Sequence, residues 1–173
     1  MSISRLLKII AGVESISYDS FRVEGLGGNA KIIITARIPS KKKSRCSRCH
    51  HKAAYYDRPY EKRRWRALDL ATSKLFIEAE VRRVHCLLCG VVTEHVPWAR
   101  PSSRFTKNFE ERVAWLTTHN SKESVSKLMR IAWSTVGDIC FRVYDVLCES
   151  RPSPLNGLRY LGIDETSYKK DQL

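Results

Sequence analysis

Nothing in this sequence is long and apolar enough to cross a bilayer as a helix, which excludes a helical membrane span. It holds no internal repeat and no low-complexity tract. Its hydrophobic share of 43% is that of ordinary globular sequence, so global disorder is not expected. A secretory leader is not expected either: Lys8 interrupts the short apolar stretch within Met1–Val13, and no small-residue cleavage site follows. Without export the cysteines are expected to stay reduced, which favours metal over disulfides. The last shortage is of negative charge. Aspartate and glutamate number 18 against 31 lysines and arginines, a net +13, and so sharp a bias implies a polyanionic partner.

The excess is concentrated. Residues 41–100 hold 15 basic and 6 acidic side chains, a net +9, against +2, +1 and +1 for 1–40, 101–150 and 151–173. The same segment holds four of the six cysteines, as Cys46/Cys49 and Cys86/Cys89 with 36 residues between the pairs. A C-x2-C pair lets two thiolates grip one ion from a single turn, and two pairs complete the tetrahedral four-sulfur set that zinc prefers. A closed set of four argues for a structural ion. Gly90, directly after Cys89, suits the tight turn; His50 holds the equivalent place at the first knuckle and makes it less ideal. His50, His51 and His85 are rival ligands, and two metal-free buried thiol pairs are the plainer alternative. Cys140 falls on the apolar side of a helical pattern and reads as core; Cys148 has no assigned role.

Periodicity places the elements. Residues 1–12 read as a short helix with Leu6, Leu7, Ile9 and Ile10 as its apolar side, and 13–24 and 30–38 as strands. Arg63–Leu70 looks extended. In Lys74–His85 the residues Leu75, Ile77, Ala79 and Val81 alternate with Phe76, Glu78, Glu80 and Arg82, a half-buried strand. A hairpin between the knuckles would bring them together at one end. After Pro97 and Pro101 the period changes to about 3.6. Phe105, Phe109, Val113 and Leu116 then share one face of a helix over 105–118. Asn120 with Glu123 suggests a capping box for a second helix carrying Val125, Leu128 and Met129. Ser134 is the predicted N-cap of a third, with Val136, Ile139, Cys140, Val143 and Leu147 toward the core. Arg151–Gly157 is linker-like, and Leu158–Ile163 reads as a strand.

Two short helices joined by a turn at Ile131–Trp133 make a helix-turn-helix candidate, with a small packing bundle as the plainer alternative. Thr135, Asp138 and Arg142 fall opposite the expected core, where base and phosphate contacts would arise. The run Lys41–Arg66 has 11 basic and 2 acidic residues with Tyr55, Tyr56, Tyr60 and Trp65 interleaved. Its phosphate candidates are Lys41, Lys42, Lys43, Arg45, Arg48, Arg63 and Arg64. The alternative is a solvated face with the aromatics in the core, and Trp65 is expected there.

Several motifs in order carry a family resemblance: the paired C-x2-C, R-R-W-R-A-L-D-L (Arg63–Leu70), V-R-R-V-H-C-L-L-C-G (Val81–Gly90), V-P-W-A-R (Val96–Arg100), R-F-T (Arg104–Thr106) and L-G-I-D-E (Leu161–Glu165). From about residue 13 onward the chain resembles the ISL-three family of bacterial insertion-sequence transposases. The resemblance implies an α+β chain: a β-rich zinc ribbon, a helical helix-turn-helix domain and the start of an RNase H-like catalytic domain. The divisions expected are 1–40 (helix and β-hairpin), 41–100 (zinc ribbon), 101–150 (helix-turn-helix) and 151–173 (linker and first catalytic strand). It also implies binding to double-stranded DNA at terminal inverted repeats, in a bacterial cytoplasm and on its nucleoid, with a second copy or a full-length transposase as protein partner and no membrane. Asp164 matches the first catalytic aspartate, with Glu165 beside it in the motif. A two-metal site needs two more carboxylates. Magnesium and strand transfer are therefore expected only of a complete catalytic domain, and this chain reads as a truncated one whose remaining activity is DNA binding. A protein-interaction module, or an inhibitor of the full-length enzyme, is the rival reading.

Overall fold

The computed structural model describes residues 3–13, 16–26, 30–58, 62–149, 156–160 and 162. Tyr60, Asp164 and Glu165 lie outside the described residues, so the expected catalytic strand is not placed as a whole; its described residues, 158–160 and 162, are not in a strand. Helix α1 (Ile3–Ala11) is followed by strands β1 (Ser17–Glu24), β2 (Lys31–Arg37), β3 (Ala54–Asp57), β4 (Arg63–Arg66), β5 (Lys74–Ala79), β6 (Arg83–Cys86) and β7 (Gly90–Thr93), then by helices α2 (Lys107–Thr117), α3 (Lys122–Met129) and α4 (Trp133–Glu149).

The strands form two sheets, one in the order β1-β2-β5-β4 and one in the order β3-β6-β7. The hairpin expected between the knuckles does form, with Trp65 opposite Ile77 across antiparallel β4 and β5. It does not close the knuckles, however. β5 runs parallel to β2, pairing Ile34 with Ile77 and Ile32 with Leu75, so the hairpin completes the amino-terminal sheet. The reason is apolar matching. Leu75, Ile77 and Ala79 of β5 and Ile34 and Ala36 of β2 line one face, and pairing the strands buries them together in one core. A single core therefore draws on both 1–40 and 41–100. Trp65 and Trp98 meet edge to face inside it, with ring centroids 5.5 Å apart.

Helix α1 covers this core with Leu7, Ile10 and Ala11, while Leu6 and Ile9 face outward, a rotation from the side the sequence suggested. Leu7 and Ala11 stand one turn apart, as one face of a helix requires. Gly12 ends the helix at φ +63°, where a larger residue is strained, and a Cβ there would lie 2.7 Å from the Asn108 side-chain amide and displace it. Asn108 donates to the Gly12 carbonyl at 2.7 Å, tying α2 to the end of α1.

The helices have a second core of Phe109, Val113, Val125, Val136, Ile139 and Val143. Thr106 caps α2 by accepting from the Phe109 amide. The cap of α3 is Ser121, which accepts from the Ser124 amide, one residue past the predicted Asn120. Asn120 instead donates from its side chain to the Leu116 carbonyl at the end of α2. Helix α4 begins at Trp133, so Ser134 sits inside its first turn and not at the cap. Cys140 is half-buried with its sulfur 3.3 Å from the Thr117 hydroxyl, and Leu147 is exposed because α4 outruns the two helices it packs on.

Candidate metal centre and nucleic-acid interface

Each knuckle is a tight backbone turn. In the first, the Cys46 amide donates to the His51 carbonyl at 2.9 Å and the His50 amide to the Cys46 carbonyl at 3.1 Å. The Arg48 amide points at the Cys46 sulfur, 3.3 Å away. In the second, Cys86 closes β6 and pairs with Gly90 at the start of β7. The residue after each second cysteine is left-handed: His50 at φ +59° and Gly90 at φ +72°. His50 thus takes the conformation that glycine takes more easily, and the first knuckle has the same shape as the second. Between them, the His95 amide donates to the Arg45 carbonyl at 2.7 Å, and Cys46 pairs with Glu94. The strand leaving the second knuckle is therefore what holds the first.

The result brings Cys46, Cys49, Cys86 and Cys89 together with all four sulfurs within 4.8 Å of one another. Tetrahedral zinc–thiolate bonds of about 2.3 Å require sulfurs about 3.8 Å apart, so a small contraction closes the set. Cys49 and Cys86 are already 3.5 Å apart. Burial pushes the Cys46 thiol up, but the amides of Cys49 and Arg48 outweigh it and bring it down to about 6. Cys89 is pushed up to about 12, by burial first and then by Cys49 and Cys46. One thiolate is easy in this cluster and four are not; a divalent cation is what lets all of them ionise. Among the described residues this is the one convergent group of metal-ligating side chains. His51 and His85 are exposed, and His50 stacks edge to face on His95 with ring centroids 4.5 Å apart.

The basic segment divides by partner. Lys41 and Lys42 are exposed at a short 3-10 turn, Lys43 is half-buried, and Arg48 is exposed. Arg45 donates to the His50 carbonyl at 3.1 Å, and Arg63 lies over the Trp65 ring. Arg64 is paired: its guanidinium is bonded to Glu78 at 2.7 Å and faces Glu24 at 3.4 Å. Glu78 was assigned to the outward face of its strand, and that face is covered. Arg22 reaches it from β1 with two bonds of 3.0 and 2.9 Å, leaving it 5% exposed. The Arg22 hydrogen bonds, and then Arg64, overcome burial and hold the Glu78 carboxyl down at about 2. A depressed carboxylate contributes stability above its unfolded value of 4.5 and loses it as the pH falls toward 2. Glu78→Gln is thus expected to flatten the acid limb of stability between those values, read as thermal midpoint against pH. An unchanged acid limb would contradict it.

The helical pair has the shape the sequence suggested. Arg130 ends α3 in the left-handed region at φ +53°, and the Ile131 amide returns to the Ser126 carbonyl at 3.1 Å. Asp138 is exposed on α4 and Thr135 is half-buried. Arg142 is paired as well. It donates to Glu110 at 2.9 Å, because its place on α4 turns it toward α2 and not away from the core. Glu110 is fully buried and also receives Arg100 at 3.0 Å and the Ser103 hydroxyl at 2.7 Å. The sequence reading missed it, and only a charged residue beside Phe109 on the core face hinted at it.

The helices are fixed to the sheet. Arg66 and Phe105 form a parallel bridge, with Arg66 donating to the Arg104 carbonyl and the Thr106 amide to Arg66, both at 2.9 Å. Arg130, in the inter-helix turn, bonds Asp69 and the Thr72 carbonyl beside β5, and Arg66 holds the other oxygen of Asp69 at 2.7 Å.

Residues 42–89 match the zinc-finger of transposases IS204/IS1001/IS1096/IS1165, and residues 94–144 match the helix-turn-helix domain of transposase family ISL3. Over 169 residues, 96% of its length, the chain is 42% identical to the transposase for insertion sequence element IS1557 of Mycobacterium tuberculosis, in strains CDC 1551 and H37Rv alike. The chain carries the zinc-finger and helix-turn-helix segments of ISL3-family transposases. It spans 38% of the length of those mycobacterial relatives. No solved structure matches it. The family's zinc-finger segment ends at Cys89, just before β7, yet β7 and His95 are what lock the first knuckle onto the second. Its helix-turn-helix segment covers α2, α3 and most of α4, including both ends of the Glu110 network. No helix among the described residues is long and apolar enough to cross a membrane.

Proposed function

We propose that the chain is the DNA-binding region of an insertion-sequence transposase: a ribbon held by one structural zinc on Cys46, Cys49, Cys86 and Cys89, carrying a helix-turn-helix that recognises the terminal inverted repeats of its element. The observation that supports this reading is the fixed seat of the helices on the sheet that adjoins the ribbon, with Arg130 of the inter-helix turn bonded to Asp69 and Thr72 of the turn between β4 and β5. A rigid union lets phosphate contacts from the ribbon set the register in which α4 reads bases. On α4 the reader is Asp138, flanked by Thr135 and by Arg142, which Glu110 holds in place. Lys41, Lys42, Lys43, Arg45, Arg48 and Arg63 supply phosphate contacts. The zinc shapes the ribbon and takes no part in chemistry. Asp164 is the first carboxylate of a two-metal magnesium site that needs two more, so strand transfer belongs to a complete catalytic domain. The work is done on bacterial chromosomal DNA in the cytoplasm.

The test is a gel-shift titration at about 150 mM salt, with a duplex carrying the element's terminal repeat against a scrambled duplex. The repeat is expected to bind at least about 100-fold more tightly. Equal affinity would remove inverted-repeat recognition.

A second reading, docking onto another protein, draws on the exposed Phe141, Tyr144, Val146 and Leu147 of α4. Capture of full-length transposase by the zinc-loaded chain in nuclease-treated buffer would support it, and no capture would remove it.

A further inference from the structure

Between the knuckle sheet and the segment leading into α2 lies a half-open groove of 470 Å³. Its walls come from the first knuckle (Ser47, Arg48), from Arg63 on β4, from β7 and from Arg100–Ser103, with Arg83 of β6 at one side. Four guanidiniums therefore face one space, and they are not equivalent. Arg83 is neutralised by Asp57, and Arg100 by Glu110 and Glu111, both at 3.0 Å. Arg48 and Arg63 pair with no carboxylate of a described residue. Glu94, the groove's own acid, is 3% exposed and spends its oxygens on the amides of Ser44 (3.2 Å) and Arg82 (2.9 Å). Two aromatic rings line the groove: Trp65 is 2% exposed and closed to a stacking base, and the half-buried His95 ring is engaged edge to face with His50 at 4.5 Å. The lining offers mainly guanidinium and hydroxyl donors, with one half-buried imidazole and no exposed large aromatic ring. That is the chemistry of a phosphate ester, not of a base or an apolar peptide.

We propose that this groove seats backbone phosphates of duplex DNA, with Arg48 and Arg63 as the two contacting cations and Arg83 and Arg100 as fixed walls. The inference rests on the DNA-binding reading and deepens it: two of its phosphate cations act together in one groove, separate from α4. Counterion release makes it measurable. Each neutralised phosphate contributes about 0.9 to the slope of log affinity against log salt. The Arg48→Ala/Arg63→Ala double variant is expected to lower that slope by about 1.8 and to weaken repeat and scrambled duplexes by the same factor. Asp138→Ala should instead change the ratio between the two duplexes and leave the slope alone.

Zinc content and thermal midpoint, measured on each variant, guard against a folding effect. Arg48→Ala alone, at an exposed site, should lower the slope by about 0.9 if Arg63 proves needed over Trp65. A double variant with unchanged slope and affinity would overturn the groove while leaving inverted-repeat recognition standing. Loss of preference without loss of slope would also overturn it, since it would make the arginines base readers. Inorganic phosphate at millimolar concentration that competes no better than chloride at equal ionic strength is expected of a backbone site. Strong competition would show a free-anion pocket and overturn the assignment to DNA.

Discussion

Replacing Cys86 with serine, or stripping the metal with a strong chelator, will unfold the knuckle sheet and leave the helices folded. Strands β3, β6 and β7 have four residues each, and their fully buried side chains are few: Val84, with Cys86 and the adjoining Cys46. So small a sheet does not hold itself together in water. Thiolate coordination supplies about 10 kcal/mol or more of folding free energy to such sites. The second core, by contrast, contains no knuckle residue. Amide hydrogen exchange after metal removal should therefore show lost protection at Cys46, His50 and Ala53 and across 83–93. Protection within 107–117, 122–129 and 133–149 should persist. A knuckle sheet equally protected without metal would contradict the role given to the ion.

The second large effect is expected at Glu110. The carboxylate is fully buried and is shared by Arg100, Arg142 and Ser103, so it joins the lead-in segment, α2 and α4 at one point. Removing one member of a buried charge network leaves the others desolvated and unpaired, which costs about 3–5 kcal/mol. Glu110→Ala adds a cavity to that loss; Glu110→Gln keeps the shape and the Ser103 contact and isolates the charge term. Either variant should lower the thermal midpoint by about 10 °C. Glu111→Gln, which touches only Arg100 from an exposed position, should shift it little. Equal effects at Glu110 and Glu111 would show that the network is an incidental surface pairing.

Much of this fold can be read from spacing. The two cysteine pairs define the knuckles because two-residue spacing admits few backbone paths, and the change of period after Pro101 marks the passage from strands to helices. What spacing hides is pairing at a distance. Nothing local says that β5 will run parallel to β2, since that depends on matching Ile34 and Ile77 across a long crossover. Nor does alternation show that an outward-facing residue is covered: Glu78 sits on the polar side of its strand, yet Arg22 and Arg64 close over it. The partner of Arg142 is hidden in another way. A helical wheel places it away from the apolar stripe, and the buried carboxylate on α2 that claims it is 32 residues away in sequence. His50 is a smaller lesson: glycine makes a left-handed turn cheap, but a closed network of amide bonds can hold a histidine in the same place.

X-ray absorption at the zinc edge of the purified chain tests the metal-held ribbon most directly. The arrangement of Cys46, Cys49, Cys86 and Cys89 predicts one ion per chain with four sulfurs at about 2.3 Å and no histidine scattering. Nitrogen in the first coordination sphere, or less than one ion per chain, would contradict it.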